Sequence, residues 1–207
     1  ITFNTGMLTL SSAMGSLIIA TTPVLTAIGA TFLYKERIKP IGWLSIGCAF
    51  AGVAVLLLWG GNVSYSTGIW WTCAAAFVFC CYNLLNRKLL SMGYSAVECV
   101  TWSMTCGAVL LLPFAAEAMV QASNATVTAL VVVVYLGSMP SATAYLLWSK
   151  AFSLASKTSD VTNYQFLTPL ISTLLGLIIL GEIPGVSTVV GGLIIIASIV
   201  VFGLKGK

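Results

Sequence analysis

Apolar residues run in long blocks along this chain, at roughly 12–34, 41–59, 67–86, 95–116, 129–149, 161–180 and 186–204, with short polar breaks between them. Blocks of ~18–22 residues have the length a helix needs to cross a hydrocarbon core of ~30 Å. The alternating ten-residue segments of an outer-membrane barrel are absent. Residues 1–10 are too short to span, and they begin without a methionine or a basic leader region, so they read as the tail of a helix that starts upstream. The pattern predicts an all-α integral membrane protein with seven spans plus a partial helix.

Composition strengthens this reading. Of 207 residues, 59% are hydrophobic and 7% charged, against about 25% charged in soluble domains. The nine basic residues (Lys35, Arg37, Lys39, Arg87, Lys88, Lys150, Lys157, Lys205 and Lys207) fall in alternate connections. The intervening connections 60–66, 117–128 and 181–185 hold no Lys or Arg. The positive-inside rule therefore puts the basic connections and the C-terminus in the cytoplasm. Trp59, Trp70, Trp71, Tyr34, Trp43, Tyr82 and Tyr94 flank the breaks as interfacial aromatics do. The six cysteines all lie in apolar blocks without a CxxC pair, and there is no histidine. That excludes His-built metal or haem sites and leaves cysteine as a packing residue. No cofactor and no nucleic-acid partner is implied.

One stretch occurs twice. Thr22-Pro23 is followed by Thr26 and then Glu36, and Thr168-Pro169 by Ser172 and then Glu182. Both prolines and both acids are 146 residues apart (169 − 23 and 182 − 36). Glu36 opens a basic connection and Glu182 an uncharged one, so the copies have opposite orientations. Inverted repeats are a feature of secondary transporters.

The runs Ser16 to Glu36 and Tyr164 to Glu182 resemble the EamA repeat of the drug/metabolite transporter superfamily. The resemblance covers essentially the whole chain, with 1–60 as the last part of a first repeat and 67–205 as a complete second one. It implies two inverted five-helix repeats, ten helices in the full protein, and an N-terminal truncation here. It also implies a central cavity formed mainly by the partial helix and the blocks 12–34, 129–149 and 161–180. The function it implies is export of a small metabolite across the plasma (bacterial inner) membrane by alternating access. A seven-helix receptor is the alternative; it predicts no internal repeat. An enzyme would need a nucleophile–base or metal constellation, which this residue set does not offer. The expected partners are a small-molecule substrate and the bilayer, with a homodimer left open.

Candidate pathway residues follow from the repeat. Ser11, Gly15, Thr22, Thr26 and Gly29 share one helical face, and Thr158, Gln165, Thr168, Ser172 and Gly176 share its counterpart. Two readings stand: a hydroxyl-lined substrate wall, or close packing through small residues. Pro23 and Pro169 should kink their spans and serve as hinge or binding elements. Asn4 and Gln165 are amides suited to a polar substrate, and Tyr145, Trp148 and Tyr164 are rings suited to stacking or to ordinary packing. Glu36, flanked by Lys35, Arg37 and Lys39, is expected in a surface ion-pair cluster, and Glu182 in a helix-end or gating role. No ionisable residue stands in mid-span, so any coupling carboxylate would be Glu36, Glu98, Asp160 or Glu182, or lie upstream.

Overall fold

Hydrocarbon offers no partner to a backbone N–H or C=O, so a spanning segment must close its hydrogen bonds within itself. In a computed structural model the chain does so with helices, and no strand occurs among the described residues, which are 1–10, 12–59, 66–180 and 185–206. The helices are α1 (Thr2–Met7), α2 (Ser12–Ile19), α3 (Thr22–Tyr34), α4 (Pro40–Leu58), α5 (Gly68–Ser91) and α6 (Ala96–Leu111). They continue as α7 (Ala115–Ser123), α8 (Val127–Leu136), α9 (Ala144–Leu154), α10 (Thr158–Thr162), α11 (Thr168–Leu175) and α12 (Val186–Val201).

Five helical stretches among the described residues are long and apolar enough to cross a membrane: Met14–Tyr34, Gly68–Ser91, Ala96–Ser123, Val127–Leu154 and Val186–Gly206. The other two expected spans are helical as well: α4 covers 19 residues, Pro40–Leu58, and the block at 161–180 is a succession of α10, a tighter turn over Asn163–Leu167, α11 and a wider turn over Gly176–Leu180. Two boundaries also move. The expected connection at 117–128 is helical through Ser123, and α5 runs to Ser91, so Arg87 and Lys88 are helical rather than loop residues.

Prolines explain most of the irregularities, because each deletes a donor and leaves the carbonyl four residues back without its bond. Pro113 falls in a tight turn over Leu112–Phe114, where Leu112 N–H donates to Val109 O. Pro140 lies in a wide turn over Gly137–Thr143. The carbonyl it frees, Leu136 O, accepts instead from Ser141 Oγ at 2.9 Å. This is the repair that hydroxyls supply in membrane helices.

The chain divides into two compact units, Ile1–Leu84 with Ser156–Lys207, and Leu85–Ala155. In the first, α4 packs along α12, and α3 packs on α10. Its core gathers Ala20, Ala27, Ile46, Ala49, Val53, Phe166, Ile195 and Phe202. Close helix approach needs small residues, and Gly52 and Gly191 supply it between α4 and α12.

In the second unit, α6 packs on α9. The end of α5 is tied to α9: Arg87 Nη1 donates to Phe152 O (2.6 Å) and Ala155 O (2.9 Å), and Ser149 Oγ donates to Asn86 Oδ1 (3.0 Å). Charge-assisted bonds of this kind contribute about 1.5–3 kcal/mol. We expect R87A to lower the stability of this unit by that amount, read as the unfolding midpoint in detergent. A midpoint equal to that of the wild type would mean these bonds are worth nothing net.

Candidate functional site

The doubled Thr-Pro marks a helix start in both places. α3 begins at Thr22 and α11 at Thr168. Just before Pro23 the helical stretch Met14–Tyr34 is interrupted by two turn residues, Ala20 and Thr21, with α2 ending at Ile19. Proline is accepted in a first helical turn because its missing N–H has no intrahelical role there. Around the break, Thr21 N (3.0 Å) and Thr21 Oγ1 (2.6 Å) both donate to Ile18 O. Before Pro169, Thr168 N–H donates to Gln165 O, closing a tighter turn ahead of α11.

Hydroxyls in these helices usually bond back to the carbonyl one turn earlier. Thr31 does so to Ala27 O, Ser45 to Ile41 O, Thr72 to Gly68 O and Ser198 to Ile194 O. Thr22 and Thr26 depart from this habit. Both are fully buried, and neither Oγ1 has a nitrogen or oxygen partner. The carbonyl that Thr22 would use, Ile18 O, already accepts two bonds from Thr21. Thr26 has beside it the Cys80 thiol, a weak donor. One turn further on, Gly29 packs on Leu84, and Ala30 on Cys80 and Leu84. The small-residue face thus divides between close packing at its far end and two buried hydroxyls near the break. Of its other members, Ser11 lies outside the described residues.

A second set of such atoms stands on the segment facing α3. Asn163 is 3% exposed and Ser159 1% exposed. Both amide atoms of Asn163, Ser159 Oγ and Gln165 Oε1 are buried without partners. Leaving a buried polar group unpaired costs about 1–3 kcal/mol, so a set of them calls for a reason other than stability. Asn163 and Ser159 are absent from the sequence-derived candidates. The signal that could have found them is the polar string Thr158 to Gln165, interrupted only by Val161 and Tyr164, inside an otherwise apolar region.

The remaining candidates fall as follows. Thr168 and Tyr164 are exposed, and Pro169 is half-buried. The side chains of Ser172 and Gly176, and Glu182 as a whole, lie outside the described residues. Asn4, on α1, is exposed. Tyr145 and Trp148 belong to the second unit, where Trp148 packs edge-on against the fully buried Phe152 at 5.5 Å between ring centroids.

Glu36 corrects an expectation. In place of an ion-pair cluster with its basic neighbours, its carboxylate bonds Thr158, a residue 122 positions away. Thr158 N donates to Oε1 (2.8 Å) and Oε2 (3.0 Å), and Thr158 Oγ1 donates to Oε1 (2.6 Å). The chain delivers Glu36 there through a left-handed turn at Lys35 (φ 54°), with Glu36 N–H donating to Ala30 O at 3.4 Å. Beside it, Lys157 Nζ donates to Arg37 O at 2.6 Å.

Comparison with known proteins gives the family. The chain is 30% identical over 202 residues to a probable terminal-alkyne amino-acid exporter of Streptantibioticus cattleyicolor, covering 98% of this chain and 67% of that protein. It is 26% identical over 206 residues to the uncharacterized transporter YdfC of Bacillus subtilis, covering 99% and 67%. It is 29% identical over 174 residues to an S-adenosylmethionine uptake transporter of Rickettsia prowazekii, covering 84% and 57%. It spans about two thirds or less of the length of these relatives. A solved crystal structure at 18% identity superposes with a TM-score of 0.81 over 98% of this chain and 72% of the other, a likeness of fold. The model of the EamA-like transporter family matches residues 1–58 and 66–204. The chain, an all-α multi-pass membrane protein, belongs to the EamA-like transporter family, a class of small-molecule membrane transporter.

Proposed function

We propose that this protein exports a small polar metabolite across the plasma membrane by alternating access. In this reading 1–60 ends a first repeat and 67–205 forms an inverted second one, with the C-terminus cytoplasmic. The carrying observation is the set of buried neutral polar atoms without partners at Thr22, Thr26, Asn163 and Gln165. Hydroxyls and amides both donate and accept, so they suit a substrate rich in hydrogen-bonding groups, and their neutrality disfavours a bare ion. The amino-acid skeleton shared by the compounds named for two relatives is of that type. The two helix starts at Thr22 and Thr168 supply broken helices, which in secondary transporters expose backbone groups at the substrate site. Pro23 and Pro169 set those breaks. Thr168, Ser172, Tyr164 and Asn4 complete the proposed pathway in the first unit, and Tyr145 and Trp148 are the candidates that the second unit offers. The bilayer is the other partner, and self-association into a homodimer is compatible with this pathway.

The test uses vesicles and two probes, a terminal-alkyne amino acid and S-adenosylmethionine. The T22V/T26V variant keeps shape and removes both hydroxyls. We expect it to insert, and to be at least as stable as the wild type because two unpaired buried hydroxyls are gone, while transporting the accepted probe at least tenfold more slowly. Wild-type transport by this variant at equal expression would reject the hydroxyl wall.

A further inference from the structure

Glu36 has both carboxylate oxygens on a single residue, Thr158, which is fully buried. The two residues belong to different copies of the repeat as read in the sequence; Glu36 lies two residues past α3 and Thr158 opens α10, and these two helices pack together in the first unit. A contact between distant segments at one end of such a pair decides whether that end is shut. In the same segment as Thr158, Ser159 and Asn163 are buried and unpartnered, polar atoms that movement of this segment away from Glu36 would uncover. A second strut lies alongside, from Lys157 Nζ to Arg37 O.

We propose that Glu36 and Thr158 form the gate at the basic-connection end of the transport pathway, and that the carboxylate must leave Thr158 in each cycle. Glu36 is thus a positioning residue for transport rather than a substrate ligand. This rests on the transport reading above. The bond set fits a gate better than a permanent clamp. It consists of hydrogen bonds to a carboxylate that is itself half-buried at a helix end, with water close enough to take the place of Thr158 when the two part. A contact held in the apolar interior would have no such substitute. The 146-residue register that pairs Glu36 with Glu182 also pairs Thr158 with Ser12. Glu182 lies outside the described residues, so the proposal is confined to the Glu36 end.

The test has two arms. In the first, S159C is introduced into a protein whose native cysteines are replaced, and its labelling by a hydrophilic maleimide is timed. Ser159 is 1% exposed, so labelling reports the fraction of time the gate is open. E36Q, which removes the charge, is expected to raise the labelling rate about tenfold. T158V, which keeps the backbone bonds, should raise it less, and T158S should leave it unchanged. If E36Q does not insert, T158V against T158S decides. Equal labelling in all variants overturns the gate. In the second arm, R37C/K157C is joined by a short reducible cross-linker. Pinning a permanent contact leaves transport intact, whereas pinning a gate arrests it. We expect uptake of the accepted probe to fall at least tenfold and to recover on reduction. Transport at the uncross-linked rate overturns the proposal. Absence of transport in the uncross-linked protein would instead count against the transport reading, and the labelling arm still judges the contact.

Discussion

Replacing Gly191 by leucine should abolish the packing of α12 on α4 and with it the folded first unit. A Cβ built on Gly191 falls 2.6 Å from Gly52 O, 2.7 Å from Leu56 Cβ and 2.8 Å from Leu56 N. Backbone atoms make up two of these three neighbours, so no side-chain rotation relieves the clash. A Cβ on Gly52 meets Ile195 Cγ1 at 2.9 Å and Gly191 O at 3.0 Å, so the approach is close from both sides. Overpacking a well-filled interior costs about 1–3 kcal/mol, and a leucine here adds three carbons beyond the one that already collides. In lipid the solvent is as apolar as the side chains, so helices are held by van der Waals fit, and forced separation loses most of what joins them. We expect G191A to lower stability by about 1–3 kcal/mol, and G191L to leave little protein in the monodisperse peak on size-exclusion chromatography. Gly47 on the same α4 helix is the control, because its Cβ meets nothing within 4 Å. There G47A should be neutral or stabilising by up to about 1 kcal/mol, since glycine is the poorer helix former. Folded G191L with an unchanged midpoint would mean that α4 and α12 do not meet at these glycines.

The spans could be read because they are local patterns. Membrane helices announce themselves by length and apolarity, and the Thr-Pro repeat by a constant offset. What the helices do internally was less legible. Pro23 marks an irregularity in its span, but not the form it takes, which is two turn residues, Ala20 and Thr21, within the helical stretch Met14–Tyr34. A proline permits several outcomes, and neighbouring packing chooses between them. Likewise 117–128 looked like a loop because Glu117, Gln121, Ser123 and Asn124 are polar. Polarity ends the membrane-embedded part of a helix without ending the helix, and α7 runs on to Ser123. Glu36 was misjudged for a different reason. Its neighbours in sequence are basic, and its partner is 122 residues away. Only the packing of α3 on α10 brings Thr158 within reach, and no periodicity encodes that. Pro140 and its rescue by Ser141 were also missed, although a hydroxyl beside a mid-span proline is a readable sign.

Asn163 should yield a protein that is more stable and less active when it is changed to leucine. The side chain is 3% exposed, and neither amide atom has a hydrogen-bond partner. In the tight turn over Asn163–Leu167 it lies three residues before Phe166, hence on the same side. Phe166 is fully buried in the core with Ala27, Ile46, Ala49 and Ile195. The amide is thus held beside an apolar cluster, where an unpaired polar group costs about 1–3 kcal/mol. Leucine has nearly the same shape and no such cost, so N163L is expected to raise stability by that amount, measured as the unfolding midpoint. If Asn163 is kept for substrate, the same change leaves substrate groups unpaired in transit. Sites built on hydrogen bonds lose steeply when a partner is removed, and transport of the accepted probe should fall at least tenfold. The two shifts have opposite signs, which separates this outcome from damage to the fold, where stability and transport decline together. N163D distinguishes the amide from mere polarity: a buried carboxylate without a cation is worse for the fold and does not restore transport. A more stable N163L that transports at the wild-type rate would remove Asn163 from the pathway and leave Thr22 and Thr26 as its core.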